Sequence, residues 1–279
     1  HFLVTSAHSD LLFFTNFGKV YQLKMYEIPE GRRATKGKSI MNFLPLAADE
    51  SVTSVLSVPK EEKQRAAQGA SSIVFVTQGG IVKRVSAKSF SDVRRSGIIA
   101  INLKKGLPGR QAGDTLVSAN LAGEGDTVSI VTAKGQSIRF ETEDVREMGR
   151  TAGGVRGMSV KKGDRVVSAE VIPATAKDAS LLVIMSKGYG KRTKMSEYKV
   201  QGRGGSGVKT AAVTPKTGEI IGGKIVLGNL EGEELVVVSK KGQVIRTSVA
   251  EISLLSRATQ GVRIMKMREG DSIASMVAL

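Results

Sequence analysis

The feature that most constrains this chain is a pattern of glycine and arginine that occurs five times at nearly constant spacing. Each copy begins with a glycine between two short runs of β-forming residues, and an arginine follows fifteen residues later. The glycines are Gly18, Gly80, Gly135, Gly188 and Gly242, and the arginines are Arg33, Arg95, Arg150, Arg203 and Arg257. Successive glycines are 62, 55, 53 and 54 residues apart. A period of this length is typical of repeat architectures such as solenoids and propellers.

Each copy contains the pattern of a β-hairpin. The run before the glycine is almost wholly apolar, as in Ile73–Thr77 and Leu181–Met185, which is expected of a strand buried on both faces. The run after it alternates apolar residues with Lys or Arg, and we expect those basic side chains to point outward. A polar connection that carries the arginine, a short strand such as Val155–Val160, a Gly-Asp or Gly-Glu turn and a last strand complete the unit.

Four strands in about fifty residues indicate a propeller blade, and one blade cannot bury both faces of its sheet alone. We therefore predict an all-β, propeller-like fold of four-stranded blades in a single domain over residues 1–279. The expected repeats cover about 8–58, 71–122, 126–172, 179–227 and 233–279. Residues 1–7 match the last strand of a further repeat, and this match predicts that the chain is a fragment of a longer protein.

The net charge points to a polyanionic partner. The chain has 42 Lys and Arg against 26 Asp and Glu, a formal charge of +16. It has no Cys, which excludes disulfides and thiolate metal sites, and its only histidines are His1 and His8. A Ser-His-Asp arrangement is therefore unavailable in the body of the chain, and we predict no catalytic residues and no metal site. No apolar run approaches the ~20 residues of a membrane span, so we expect no membrane contact.

The basic residues recur in step with the repeat, on the strand after each glycine and on the connection beyond it. If the copies form a ring, equivalent positions form a positive band on a curved surface, which suits bent duplex DNA held through its phosphates. Few aromatic residues lie among them and no recognition helix is evident, so we expect binding without sequence specificity. The predicted DNA-binding residues are Arg32, Arg33, Lys36, Lys38, Lys83, Arg84, Arg94, Arg95, Arg139, Arg150, Arg156, Lys191, Arg192, Arg203, Lys209, Arg246, Arg257 and Arg263.

Across essentially the whole chain, several long stretches resemble the C-terminal domain of the bacterial DNA gyrase A subunit. They are Phe17–Tyr21, Gly37–Ile40, Asn42–Leu46, Met148–Arg150, Gly154–Gly157, Gly163–Ser168, Lys187–Thr193 and Ser253–Val262. The resemblance implies a six-bladed β-pinwheel, of which five repeats are present here, whose blades exchange a strand with their neighbours. It also implies that a basic rim wraps duplex DNA, so that the holoenzyme introduces negative supercoils by ATP-dependent strand passage.

The family carries a glycine- and arginine-rich box, Gln-Arg-Arg-Gly-Gly-Lys-Gly, in its first blade. This chain has only a degenerate form of the box, in the fourth copy: Gln201, Gly202, Arg203, Gly204, Gly205, Ser206 and Gly207. Either the first blade, which carries the box, was cut away or is disordered, or the ring lacks one blade. The tyrosine that cleaves DNA also lies outside this chain, which by itself is expected to be non-catalytic.

The resemblance further implies partners and a compartment. We expect no cofactor on this chain, because ATP and Mg act elsewhere in the holoenzyme. The expected partners are duplex DNA, the N-terminal part of the gyrase A subunit, and the gyrase B subunit. The expected location is the bacterial cytoplasm, at the nucleoid. Two alternatives remain open: the corresponding DNA-binding domain of the topoisomerase IV A subunit, and a propeller that scaffolds proteins and has no DNA role.

Overall fold

The computed structural model describes residues 3–31, 37–103, 113–228 and 230–278. Its strands fall into five groups that follow the five glycine repeats. The first two groups are β1 (Asp10–Thr15), β2 (Lys19–Lys24) and β3 (Val52–Val58), then β4 (Ser72–Thr77), β5 (Ile81–Ser86), β6 (Ile98–Ile99) and β7 (Leu116–Ala122). The third and fourth are β8 (Thr127–Thr132), β9 (Gln136–Glu141), β10 (Val155–Arg156) and β11 (Val166–Ile172), then β12 (Ser180–Met185), β13 (Tyr189–Lys194), β14 (Val208–Lys209) and β15 (Ile220–Val226). The fifth is β16 (Glu234–Ser239), β17 (Val244–Ser248), β18 (Val262–Arg263) and β19 (Ile273–Ala278).

Helices are short and few in these ranges. One α-helix, α1 (Lys60–Ala67), lies in the insertion between the first two repeats. A 3₁₀ turn follows the second strand of every repeat: Met25–Glu27, Ala87–Phe90, Thr142–Asp144, Met195–Glu197 and Val249–Glu251. A further 3₁₀ turn covers Ile40–Asn42. The all-β propeller prediction is confirmed.

The blades exchange strands, as the family resemblance implied. In each of the first four sheets, the fourth position is filled by a two-residue strand of the following repeat: β6 pairs with β2, β10 with β5, β14 with β9 and β18 with β13. The sheet orders are β3-β1-β2-β6, β7-β4-β5-β10, β11-β8-β9-β14 and β15-β12-β13-β18. Within the described residues the fifth sheet has three strands, β17-β16-β19. The exchanged strand is therefore the outermost strand of each four-stranded sheet.

These exchanged strands are shorter than the six residues that the sequence indicated. Pairing ends because the next two amides both turn to the hairpin glycine of the neighbouring blade. Gly157 N and Met158 N, for example, donate to the carbonyl oxygen of Gly80 at 2.9 and 3.0 Å. The same double contact is made to Gly18, Gly135 and Gly188. The hairpin glycine thus fixes both its own turn and the exit of the exchanged strand.

The innermost strands form the centre of the propeller. Strands β3, β7, β11, β15 and β19 contact one another in succession and line a central channel of about 530 Å³. Buried clusters of mainly aliphatic residues fill the spaces between consecutive sheets. Between the first two sheets, Phe14, Phe75 and Phe90 pack edge to face with ring centroids 5.3 to 6.0 Å apart. Each blade is therefore stabilised by its neighbours, as repeat architecture requires.

The recurring carboxylates are turn residues, as predicted from their place in the repeat. Asp114 Oδ1 accepts from Gly79 N at 2.9 Å, Asp164 Oδ1 from Lys134 N at 2.9 Å, and Asp271 Oδ1 from Lys241 N at 3.1 Å. Each therefore ties its last strand to the hairpin turn of its own blade. The hydrogen bond from Ser239, helped by backbone amides and Lys241, lowers the pKa of Asp271.

Candidate nucleic-acid interface

The outer edge of the propeller is formed by four connecting segments, here called the rim. They run from the end of each 3₁₀ turn through the exchanged strand and comprise residues 91–99, 145–156, 198–209 and 252–263. Each segment belongs to one repeat but crosses the sheet of the preceding one. Because the exchanged strand is outermost, side chains on its free face point away from the body of the molecule.

Three of the four exchanged strands place a cation at the same position. The second residue of each strand is exposed, whereas the first is half-buried. These second residues are Arg156, Lys209 and Arg263, and Ile99 takes their place in the second repeat. The equivalent side chains therefore project from three successive sheets in one register. This arrangement provides evenly repeated positive charge along a curved edge.

The arginines fifteen residues after the hairpin glycines also lie on the rim. Arg95 is exposed, as is its neighbour Arg94, and Arg150 and Arg257 are half-buried. Arg94 and Arg150 belong to different repeats but line one open groove, together with Asp92 and Thr151. Arg257 lies 3.9 Å from Glu197, which also accepts from its backbone amide. The periodic arginines thus form a row that links one repeat to the next.

The degenerate box Gln201–Gly207 lies along the outer edge of the third sheet. Gln201 N donates to Arg139 O at 2.9 Å, and Gly204 N donates to Gly157 O at 2.7 Å. Gly207 has a φ of +73°, and a Cβ there would lie 2.3 Å from Ser137 O, so only glycine fits. Arg203 is exposed and its guanidinium donates to the carbonyl oxygens of Asp144 and Arg156, both at 2.9 Å. The box is therefore an ordered part of the rim.

Lys83 and Lys191 do not face outward, contrary to the expectation from strand alternation. Both side chains are fully buried, with 0% exposure. Their strands are covered by the rim segment of the next repeat, so the face that alternation assigned to solvent lies beneath another segment. Their ammonium groups donate to main-chain oxygens of the chain above them. Neither side chain is placed to contact a ligand on the rim.

In three repeats, the fourth residue after the hairpin glycine is an arginine that contacts the following blade. Arg139 Nη1 donates to Met195 O at 3.3 Å, and Arg192 Nε donates to Ile252 O at 2.9 Å. Burial lowers the pKa of both guanidinium groups. Arg84 Nη1 lies 4.0 Å from Glu143 in the 3₁₀ turn of the next repeat. These half-buried arginines connect blades, with only part of each side chain available to a partner.

The remaining predicted residues are at the two ends of the array. Arg246 is exposed on β17 and pairs with Glu234 on the neighbouring strand. Lys38 is exposed. Arg32, Arg33 and Lys36 lie outside the described residues.

Sequence reasoning missed one feature of the rim, an aromatic ring flanked by two cations. Lys216 Nζ and the guanidinium carbon of Arg263 each lie 5.8 Å from the ring centroid of Tyr189. Arg263 Nη2 also donates to the Tyr189 hydroxyl at 3.3 Å, and this contact lowers the pKa of the phenol. The signal available in the sequence was an aromatic residue directly after a hairpin glycine.

No other chemistry is evident in the part of the chain that the structure describes. It contains no group of three or more His, Cys, Asp or Glu side chains that could hold a metal ion. None of its helices is long and apolar enough to cross a membrane. The rim is therefore the candidate site, and the chemistry that it offers is the binding of anions.

Comparison with known families gives the same five units. The family model described as "DNA gyrase C-terminal domain, beta-propeller" matches residues 9–59, 71–106, 126–173, 179–226 and 233–279. The chain belongs to this family. The matched ranges include all four rim segments, so the family match extends over the candidate site.

Relatives of known name agree with this assignment. The DNA gyrase A subunit of Staphylococcus epidermidis is 41% identical over 275 residues, which is 98% of this chain and 29% of that protein. The corresponding subunit of Mycolicibacterium smegmatis is 38% identical over 278 residues, 99% of this chain and 31% of that protein. The chain thus spans less than a third of the length of these relatives.

Solved structures support the fold. The structure of a DNA gyrase A C-terminal domain matches 98% of this chain and 83% of its own with a TM-score of 0.78, at 24% identity. A C-terminal domain of DNA topoisomerase IV matches 98% of this chain and 80% of its own with a TM-score of 0.81, at 26% identity. Shape alone therefore does not separate the two kinds of domain, whereas the family model and the named relatives favour gyrase.

Proposed function

We propose that this chain binds duplex DNA along its rim, without sequence specificity, and wraps it as a single domain over residues 1–279. The observation that carries the proposal is the row Arg156, Lys209 and Arg263, three exposed cations at one register position of successive outermost strands. A duplex that follows this edge meets the same charge on three successive sheets. Cations repeated along the path of the DNA backbone bind its phosphates and do not distinguish one base from another.

The remaining contact residues follow from exposure. Arg94, Arg95 and Arg203 are exposed on the rim, and Arg150 and Arg257 lie half-buried beside them. Lys38 and Arg246 are exposed near the ends of the array, and Arg32, Arg33 and Lys36 stay candidates from sequence alone. Arg84, Arg139 and Arg192 are assigned mainly to contacts between blades, and Lys83 and Lys191 are omitted because they are buried.

In the longer protein, we propose that the wrap presents DNA for strand passage by gyrase, which introduces negative supercoils. The proposed partners are duplex DNA, the N-terminal part of the A subunit, and the B subunit. ATP and Mg are then bound by those other parts, and this chain carries no cofactor. Family membership supports a cytoplasmic location on the bacterial nucleoid.

Binding is tested by titrating the chain with a duplex of mixed sequence over a range of salt concentrations. If the rim neutralises ~6 phosphates, affinity falls roughly a thousandfold between ~50 and ~200 mM salt. A scaffolding propeller would show weak salt dependence or no binding, and either result would overturn the proposal. Duplexes of different sequence should bind equally.

A pair of charge-matched variants tests the location. Arg156→Ala with Lys209→Ala removes two cations from the outermost strands, and we expect the salt slope to fall by about 1.8. Lys60→Ala with Lys177→Ala removes two exposed cations from the links between repeats and should leave the slope nearly unchanged. Equal losses from both pairs would contradict binding on the rim.

Wrapping is tested by ligating a nicked circular plasmid with the chain bound and measuring the linking-number shift. A positive shift that grows with protein concentration supports chiral wrapping by the residues present here. Salt-sensitive binding without a shift would mean that the rim grips DNA but does not wrap it.

A further inference from the structure

The third residue after each hairpin glycine lies directly beneath the rim segment of the next repeat. At the four junctions of the described chain this residue is Tyr21, Lys83, Ile138 and Lys191, and all four are buried. The same position in the fold is thus filled by an aromatic, a cationic or an aliphatic side chain. The contacts that each of these side chains makes with the rim segment above it therefore differ.

Lys191 holds its rim segment through the main chain. Its ammonium nitrogen donates to the carbonyl oxygens of Ser256 and Arg257, both at 2.6 Å, and to the hydroxyl of Thr259 at 3.1 Å. The segment 252–263 therefore wraps around a single buried charge. The residue whose carbonyl it fixes, Arg257, is the periodic arginine of the fifth repeat.

Lys83 repeats this arrangement two blades earlier. Its ammonium nitrogen donates to the carbonyl oxygen of Ala100 at 2.9 Å and to that of Arg150. Arg150 is the periodic arginine of the third repeat. Two non-adjacent junctions therefore place a buried lysine under the carbonyl of the same repeat position.

The acceptors at both sites are uncharged oxygens. Burying an ammonium group without a carboxylate partner is unfavourable, and here burial lowers the pKa of each lysine from 10.5 to about 8. Each lysine remains mainly protonated at neutral pH. Lys191 directs all three of its hydrogen bonds at the rim segment, and Lys83 directs one there, to the carbonyl oxygen of Arg150. An aliphatic residue at this position would avoid that unfavourable burial, as Ile138 does.

At the junction of Ile138 the rim segment is held in place without a buried cation. Ile138 Cδ1 lies 3.7 Å from the Cβ position of Gly205, so the rim segment there rests on an apolar surface. Its arginine holds the segment from outside: Arg203 donates to the carbonyls of Asp144 and Arg156. An arginine engaged in this way anchors itself, whereas Arg150 and Arg257 are anchored by the lysine below.

We propose that Lys83 and Lys191 are positioning residues for DNA binding, which fix the main chain of Arg150 and Arg257 so that those side chains meet the duplex in a set geometry. The proposal deepens the proposed function and rests on it. Neither lysine touches DNA. Their effect on affinity is transmitted through one arginine each.

Double-mutant cycles on the 279-residue chain test this coupling, with binding of a mixed-sequence duplex at low salt as the readout. Lys83→Met should weaken binding about tenfold, the equivalent of one hydrogen bond from a charged donor. In an Arg150→Ala background the same change should weaken binding less than about twofold, because the residue that it positions is gone. Lys83→Met combined with Arg257→Ala should be additive, since the two belong to different junctions.

A second cycle avoids removing a buried side chain. Thr259→Val deletes one oxygen that accepts from Lys191 and leaves the lysine in place. It should weaken DNA binding by about twofold or more, and this loss should vanish in an Arg257→Ala background. Additive losses in both cycles, or no loss from Lys83→Met and Thr259→Val, would overturn the proposal.

A spin label on the rim tests the positioning role without depending on DNA binding. The chain has no Cys, so Thr151→Cys and Ser206→Cys each give one labelling site on the rim. Lys83→Met should increase the mobility of the label at 151, above Lys83, and leave the label at 206, above Ile138, unchanged. An immobile label at 151, or equal mobility changes at both sites, would overturn the positioning role even if the chain failed to bind DNA.

Discussion

Arg203 Nη1 donates to the carbonyl oxygen of Arg156 at 2.9 Å, which joins two basic rim segments from consecutive repeats. Backbone contacts continue the connection in both directions. Asn102 N donates to Ala152 O at 3.1 Å, and Ala212 N donates to Thr259 O at 3.0 Å. The rim is therefore a continuous series of linked segments.

Arg203→Ala should affect both the charge and the order of the rim. Loss of the cation lowers the salt slope of DNA binding by about one, equally on all sequences. Loss of two hydrogen bonds to main-chain oxygens also frees the box segment and should weaken binding further. Binding titrations at several salt concentrations separate the two effects.

Arg203→Lys is the matched control. It keeps the charge, but an ammonium group lacks the planar fork that reaches two carbonyls at once. The salt slope should therefore stay near that of the unmodified chain while the affinity falls. If the alanine and lysine variants had the same slope, a phosphate contact at this position would be contradicted.

Much of the fold was predictable because the same local sequence features occur in each repeat. Hairpin glycines, apolar first strands and turn carboxylates each indicated an element that the structure contains. The exchange of strands was not derivable from the pattern of one repeat, since periodicity alone does not say whether Ile98–Ile99 pairs within its own blade or with the preceding one. That feature came from the family resemblance.

The rim was only partly predictable, because its residues contact a neighbouring blade and the pattern of one repeat does not show such contacts. Alternation along β5 and β13 assigned Lys83 and Lys191 to solvent, because the sequence shows two faces of a strand but not what crosses them. The alternation likewise assigned Arg84, Arg139 and Arg192 to solvent, whereas in the structure these side chains contact the next blade. The exposure of Arg156 and Lys209 on the outermost strands required the structure.

The buried lysines give the stability of the chain a defined pH dependence. Their pKa is lowered from 10.5 to about 8 by burial, aided by the charge of Arg150 at Lys83 and of Arg257 at Lys191, with Glu197 opposing the shift at Lys191. Between pH 8 and 10.5 the unfolded chain binds more protons, so the contribution of each lysine to the free energy of unfolding rises with pH. From about pH 8 to 9.5 this rise is about 1 to 2 kcal/mol per lysine.

The measurement is denaturant unfolding of the unmodified chain and of Lys83→Met across this pH range. Their difference isolates one lysine, because other titrating groups occur in both proteins. The unmodified chain should gain stability relative to the variant as pH rises. A constant difference would mean that Lys83 titrates at its ordinary pKa in the folded chain.

Phe75 should be a major contributor to the contact between the first two blades. Its ring is fully buried and packs edge to face against Phe14 and Phe90. Phe75→Ala removes this packing and leaves a cavity, which should lower the free energy of unfolding by about 3 to 5 kcal/mol. Phe17→Ala, at a position 44% exposed, should cost less than about 1 kcal/mol.

Gly188→Ala tests the requirement for glycine where a hairpin meets the exchanged strand. Gly188 has a φ of +85°, and a Cβ there would lie 2.1 Å from the carbonyl oxygen of Met265. That oxygen belongs to the backbone, so the clash cannot be relieved by rotating a side chain, and Gly188 O also accepts from Ile264 N and Met265 N. Gly242 has nearly the same φ, +83°, but nothing lies within 4 Å of its Cβ position. Gly242→Ala should cost about 1 kcal/mol from backbone strain alone, and Gly188→Ala should cost at least about 2 kcal/mol more. Equal losses in denaturant unfolding would show that strand exchange does not restrict Gly188.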